Sequence, residues 1–138
     1  MLGRVPIRTK RWNDAAEADD GLRVLVCRYR PRGVRKEQEP WDAWMEDLGP
    51  SRELHAAFYG KEVSPIEWPE YRRRYLEEMM QPSGRGAAML GSLAVRVAAG
   101  ETVTLLCSSA CVDAERCHRS LLAELIERAA ERRRSRSR

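Results

Sequence analysis

The 138-residue chain contains no apolar run close to the ~18 residues that a membrane-spanning helix needs, so no transmembrane segment is expected. Met1 to Trp12 lacks the apolar core of a secretory signal, which makes the cytosol the expected compartment and removes a membrane from the expected partners. A Walker-type glycine loop, a dinucleotide fingerprint and a nucleophile elbow are all missing. So is the cysteine-phosphatase spacing, which needs an arginine six positions after the cysteine: that position holds Asp113 after Cys107 and Cys117 after Cys111. No internal repeat is visible. With two histidines, acid–base candidates reduce to His118 and to His55, which reads as a surface or packing residue on a helix.

A basic body is lacking as well. The formal net charge is +4, but residues 132–138 (Arg-Arg-Arg-Ser-Arg-Ser-Arg) hold five of the 25 basic side chains and no acid. The rest of the chain therefore carries 20 basic and 21 acidic groups, which argues against a dedicated nucleic-acid-binding fold. The expected organisation is a single α/β domain over 1–131, followed by a basic Arg/Ser tail over 132–138 that is disordered or a frayed helix end. Such a tail binds polyanions weakly and without sequence preference. Its removal is expected to change stability by no more than about 0.5 kcal/mol.

What is present begins with two strand-like segments. Leu22 to Cys27 and Thr102 to Cys107 are nearly continuous apolar or β-branched sequence, the pattern of strands buried on both faces. Val5 to Arg8 is a further short strand, with Pro6 placing it at an edge or a strand start. Asn13 to Gly21 reads as a surface loop. Trp41, Trp44, Met45 and Leu48 recur at helical spacing and predict a short amphipathic helix over Trp41 to Leu48.

Further helices follow. Ser51 can cap one with Leu54, Ala57 and Phe58 on its inner face, and the next carries Tyr71, Tyr75, Leu76 and Met79. Ala87 to Ala99 follows with Leu90, Leu93, Ala94 and Val97 facing inward, closed by Gly100. Asp113 can cap the last helix, from Ala114 onward. Helix, glycine turn, buried strand, loop, helix is the pattern of a doubly wound sheet. The fold class expected is α/β: a small, mostly parallel sheet flanked by helices in a Rossmann-like three-layer sandwich.

These residues also carry a family resemblance. Asp20-Gly21-Leu22-Arg23-Val24-Leu25-Val26, Pro31-Arg32-Gly33, Trp44 with Leu48-Gly49-Pro50-Ser51, Tyr71 with Tyr75, and Val103-Thr104-Leu105-Leu106 occur in the order seen in the YeaO-like proteins, domain-of-unknown-function family 488, which the chain resembles. It departs from the common pattern with Cys27 where an Asp is usual and Arg30 where a Trp is usual. The resemblance implies a compact α/β fold and no particular reaction.

In open α/β sheets ligands bind outside the carboxyl ends of the strands, where loop N–H groups and helix N-termini converge. If strands 22–27 and 102–107 are parallel neighbours, Arg28, Arg30 and Arg32 lie beside Ser108 and Ser109. Arg28 and Arg119 then point toward the loop Ser108 to Asp113, with His118 at its rim. Guanidinium groups suit phosphate or carboxylate, so the expected ligand-binding set for an anionic small molecule is Arg28, Arg30, Arg32, Ser108, Ser109 and Arg119. The plain alternative pairs the arginines with Glu37, Glu39 or Asp42 on the surface.

If the site is catalytic, Cys117 and His118 are the acting groups. Three roles stay open: a small enzyme on a phosphorylated or otherwise anionic substrate, a non-catalytic nucleotide- or nucleic-acid-binding module, and a thiol- or zinc-dependent sensor. Four cysteines in a cytosolic chain are expected as thiols, and no cofactor is expected. The alternative metal set is Cys107, Cys111, Cys117 and His118. Its Cys-x3-Cys-x5-Cys-His spacing is not that of a zinc knuckle, and adjacent helical residues diverge by about 100°. As packing residues, Cys117 would instead join Leu121 and Leu125, and Cys107 would finish the buried strand.

Overall fold

Leu22–Leu25 (β2) and Val103–Cys107 (β4) lie side by side in the computed structural model, which describes residues 7–60 and 64–136. They are parallel, with Leu22 opposite Val103 and Leu25 opposite Leu106. Ile7–Arg11 (β1) flanks β4 and Ala43–Trp44 (β3) flanks β2, giving the all-parallel order β1-β4-β2-β3. Every residue of β4 is buried, as its unbroken apolar sequence requires. Of the predicted first strand, Val5 and Pro6 lie outside the described residues.

Four helices follow the expected stripes: Arg52–Tyr59 (α1), Trp68–Met79 (α2), Arg85–Ala98 (α3) and His118–Arg136 (α4). Ser51 caps α1 by accepting from the Leu54 N–H. Asp113 caps only a 3₁₀ turn over Ala114–Arg116, and α4 starts at His118, later than expected.

Because side chains alternate along a strand, the sheet offers two faces. Val24, Val26, Val103 and Leu105 pack against the helices through Leu54, Tyr71, Tyr75, Leu93, Val97, Leu122 and Ile126. On the other side Leu25 and Leu106 meet Trp41 and Trp12, so this layer is built from loops and 3₁₀ turns. The arrangement is the small α/β three-layer fold expected.

A buried carboxylate pins that second layer down. Asp20 is 1% exposed and is paired with Arg23 and with Lys10 at 2.9 Å, and its backbone carbonyl accepts from Thr104 Oγ1 at 2.7 Å. Gly21 makes the approach possible: its φ is +64°, and a Cβ there would stand 2.2 Å from the Thr102 carbonyl oxygen.

The predicted helix over Trp41 to Leu48 does not form. Asp42 N donates to Arg23 O at 2.7 Å and Met45 N to Leu25 O at 2.9 Å, so the segment pairs with β2 as a short parallel edge strand. The β2 edge offers unpaired backbone groups, and pairing with them takes the segment's N–H groups out of any helix. Residues 132–136 continue α4, and the partly buried Arg134 donates to Ala98 O at 3.2 Å and Val97 O at 3.1 Å. It adds a side-chain donor at the end of α3, where the Val97 carbonyl also accepts from Gly100 N at 3.0 Å.

Candidate functional site

Parallel pairing sends β2 and β4 out of the sheet on the same edge, so the loops after Cys27 and Cys107 face each other. Between them opens a cavity of about 260 Å³, lined by Cys27, Arg28, Tyr29, Pro50, His55, Tyr59, Cys107, Ser108, Ala110 and His118. Arg28 and Ser108 thus share one wall system, as the parallel topology predicted.

Arg28 is held rather than free. Its Nε donates to Pro50 O at 2.8 Å, Nη2 to Gly49 O at 3.4 Å and Nη1 to Asp47 Oδ1 at 3.2 Å. A guanidinium has five N–H groups, so two remain for a ligand. Gly49 lets the turn come this close: a Cβ there would lie 2.5 Å from Arg28 N.

His118 is buried, with Nε2 donating to Val26 O at 2.8 Å, since a carbonyl can only accept. Its ring centroid lies 5.4 Å from that of Tyr75. His55 stands between Tyr29 and Tyr59, with ring centroids at 5.0 and 4.8 Å. Burial, then the neighbouring His118 and Arg28, lower the His55 pKa and favour its neutral form.

The other predicted ligand groups are elsewhere. Arg30 donates from Nε and Nη2 to Glu39 Oε2 at 2.9 and 2.7 Å and stands 5.5 Å over the Trp41 ring, which is the surface pairing foreseen as its alternative. Arg32 is exposed and does not line the cavity, because the chain turns away at Pro31 to Gly33. Ser109 is exposed too, its carbonyl accepting from Arg11 Nη1 at 3.5 Å. Arg119 does not line the cavity either. It is buried, 6% exposed, and its Nε and Nη1 have no hydrogen-bond partner.

The cysteines gather at the same sheet edge. Cys111 and Cys117 are joined as a disulfide, which corrects the expectation of free thiols: the 108–116 loop folds back so that Cys111 meets Cys117 just before α4. Cys27 and Cys107 are buried free thiols with their sulfurs 3.9 Å apart, and Cys117 Sγ is 3.4 Å from Cys107 Sγ. The Cys107 thiol is pulled below its usual range by the Cys27 S–H that donates to it; burial opposes this, and His118, the Ser108 N–H and Arg119 reinforce it. Cys27, as the donor, is pushed up. Of the predicted catalytic pair, Cys117 is fully buried within the sulfur cluster, and only His118 faces the cavity.

Sequence reasoning missed Cys27, Tyr29, His55 and Tyr59 as site residues. The Cys27 signal was available, because both central strands end in cysteine. His55 and Tyr59 are four apart on α1 and so share a face.

A family model described as DUF488-N3a, "Active DUF488-N3 subclade", matches residues 7–130. The chain is 36% identical over 103 residues to the uncharacterized protein YeaO of Escherichia coli, spanning 75% of this chain and 83% of YeaO. It is 34% identical over 79 residues to uncharacterized proteins of Mycobacterium bovis and of Mycobacterium tuberculosis, covering 57% of this chain and 64% of each of them. No solved structure matches it. Among the described residues, no helix is long and apolar enough to cross a membrane.

Proposed function

We propose that this chain, which belongs to the DUF488 family as a YeaO-like member of the DUF488-N3 subclade, binds a small anionic ligand of the mononucleotide class at the carboxyl ends of β2 and β4. The observation that carries the reading is the shared cavity of Arg28 and Ser108, at the position where open parallel sheets take ligands. Its volume of about 260 Å³ is at the small end of ligand sites, which favours a mononucleotide or a smaller phosphate over a dinucleotide. Tyr29, His55 and Tyr59 offer ring faces and edges to a planar base, while the two spare Arg28 N–H groups and the Ser108 hydroxyl suit a phosphate. If the bound molecule reacts, His55 and His118 are the two imidazoles placed to move a proton. The proposed setting is the cytosol.

Isothermal titration of the full chain with nucleoside monophosphates and with inorganic phosphate tests this. Wild type should bind the nucleotide more tightly than phosphate, and Arg28→Ala should weaken it by about 10- to 100-fold, the worth of a charge-assisted hydrogen bond. Arg28 also holds the 47–50 turn, so Ser108→Ala and Tyr59→Ala are measured beside it, each expected to weaken binding without loss of fold. Binding indifferent to all three variants and abolished by removal of residues 132–138 would assign it to the tail and sink the pocket reading.

A further inference from the structure

Four sulfurs from three separate parts of the chain meet at one point of the sheet edge. Cys27 lies two residues past β2, Cys107 ends β4, Cys111 lies in the following loop, and Cys117 is the extended residue just before α4. The sulfurs of Cys107, Cys111 and Cys117 are all within 4.8 Å of one another, and Cys27 lies 3.9 Å from Cys107. We propose that Cys27, Cys107, Cys111 and Cys117, with the Cys111–Cys117 pair reduced, form a four-thiolate site for one Zn²⁺ ion.

Distance and chemistry both support the assignment. Tetrahedral zinc with Zn–S bonds of about 2.3 Å places its ligand sulfurs about 3.8 Å apart. Cys107 already stands at about that spacing from two partners, 3.9 Å from Cys27 and 3.4 Å from Cys117. Cys27 is not yet within 4.8 Å of all three others, so reduction must let Cys111 and Cys117 part and close around the ion. Closed four-coordinate thiolate sites are structural zinc sites, and this one would staple both central strands to the start of α4. Three of the four thiols are under a tenth exposed, as a closed site requires.

A second, independent feature points the same way. Arg119 is buried with two donor nitrogens unpaired, and its charge acts on both Cys27 and Cys107. A buried guanidinium without an acceptor is costly. The Asp14 carboxylate lies within electrostatic range of Arg119 but leaves those two nitrogens unpaired. Zinc bound by four thiolates, with a net charge of −2, adds a counter-charge on the sulfur side. His118, the imidazole that adjacency in the chain would have nominated, does not group with the three sulfurs, and its Nε2 is bonded to Val26 O. Another acidic group within ligand distance, Glu17, Asp19 and Asp20, is already paired with Arg8 and Lys10.

The chemistry balances as follows. A phosphine or dithiol reductant delivers two electrons to the Cys111–Cys117 bond, and two protons complete the two thiols. The phosphine leaves as its oxide, with one water supplying the oxygen and the two protons, or the dithiol leaves as a disulfide and gives up its own two protons. Zinc then binds four thiolates and releases four protons to solvent.

The test uses the full chain purified with a phosphine reductant, exposed to Zn²⁺ and freed of excess metal. About one zinc per chain is expected by elemental analysis. Co²⁺ in its place should give the intense visible bands of a tetrahedral ion with sulfur-to-cobalt charge transfer in the near ultraviolet. Cys27→Ser should lower zinc affinity at least about 10-fold. Oxidised protein, with two titratable thiols when unfolded, should hold no zinc. The proposal is overturned if reduced wild type retains no zinc, if cobalt shows no thiolate charge transfer, or if Cys27→Ser binds as tightly as wild type. The cobalt spectrum needs no variant, so a misfolded Cys27→Ser leaves it decisive. None of these readouts depends on anion binding.

Discussion

Replacing Asp20 by Asn should cost this protein about 3–5 kcal/mol, the penalty for removing one partner of a buried ion pair. Asp20 is 1% exposed, and its two closest partners, Lys10 and Arg23, have side chains 12% and 7% exposed. Asn keeps the shape but removes the charge, and its NH₂ group turns toward two cations that can only donate. Arg8, a third exposed, adds little because water screens it. At typical domain stabilities of about 5–15 kcal/mol the loss is about a fifth of the total or more.

The pH dependence gives a second, independent reading of the same variant. Burial alone would raise the Asp20 carboxyl, but hydrogen bonds from Lys10, the Glu17 N–H and Arg23 outweigh it and hold the pKa at about 2. A carboxyl depressed in the folded state contributes stability that is fully present above its unfolded value, near 3.8, and is lost as pH falls through about 2. Urea unfolding of wild type and Asp20→Asn from neutral pH down to pH of about 2 should therefore show a wide gap that narrows only below about pH 4. A neutral-pH difference under about 1 kcal/mol, or a gap that stays constant into acid, would refute the reasoning.

Two further substitutions probe the supports of the site and of the tail. Gly49→Ala drives a methyl into backbone, 2.5 Å from Arg28 N and 3.0 Å from Cys27 C, and should cost about 1–3 kcal/mol in urea unfolding; an unchanged midpoint would mean the turn moves freely. Arg134→Ala removes two bonds to the last carbonyls of α3 and should cost about 1 kcal/mol, while Arg136→Ala stays within about 0.5; equal effects in thermal unfolding would show that Arg134 does not dock.

Much of the fold was legible because burial and periodicity agree. The β4 segment reads as a strand on apolar run alone, and Tyr71, Tyr75 and Met79 keep the helical period that puts them in the core. Trp41 to Leu48 was misread because two tryptophans, a methionine and a leucine imitate that period over eight residues. Their spacing says nothing about the free edge of β2 that captures the backbone. The site was half legible for a related reason. Parallel ends for β2 and β4 follow from topology and place Arg28 with Ser108, but side-chain direction in an irregular loop does not follow from alternation, so Arg30 went to Glu39. The cysteines show the same limit. Counting along the chain joined Cys117 to its neighbour His118, whereas space joins it to Cys107, and Cys107 to Cys27, eighty positions away.

The carboxyl edge of a parallel sheet leaves strand-end carbonyls and loop N–H groups that the ladder does not use, and here the protein supplies partners for them one by one. His118 donates to Val26 O, the Trp44 indole to Cys27 O at 2.8 Å, and Trp12 N to Cys107 O at 2.7 Å. Arg28 is tied to the carbonyls of Gly49 and Pro50. Each bond comes from a different segment, so this edge is where the first loop, the edge strand, the 47–50 turn and α4 are knotted to the two central strands. A cavity bounded by groups already held in this way needs little ordering when a ligand enters, and what ordering it avoids appears as affinity. The same holds for the sulfurs, since Cys27 and Cys107 sit on strand ends whose backbone is already fixed. Only Cys111, on the Ser108 to Asp113 loop, has to be brought into place. The sheet edge is thus held at the strand ends and adjustable along the loop that carries Ser108 to the cavity and Cys111 to the sulfurs.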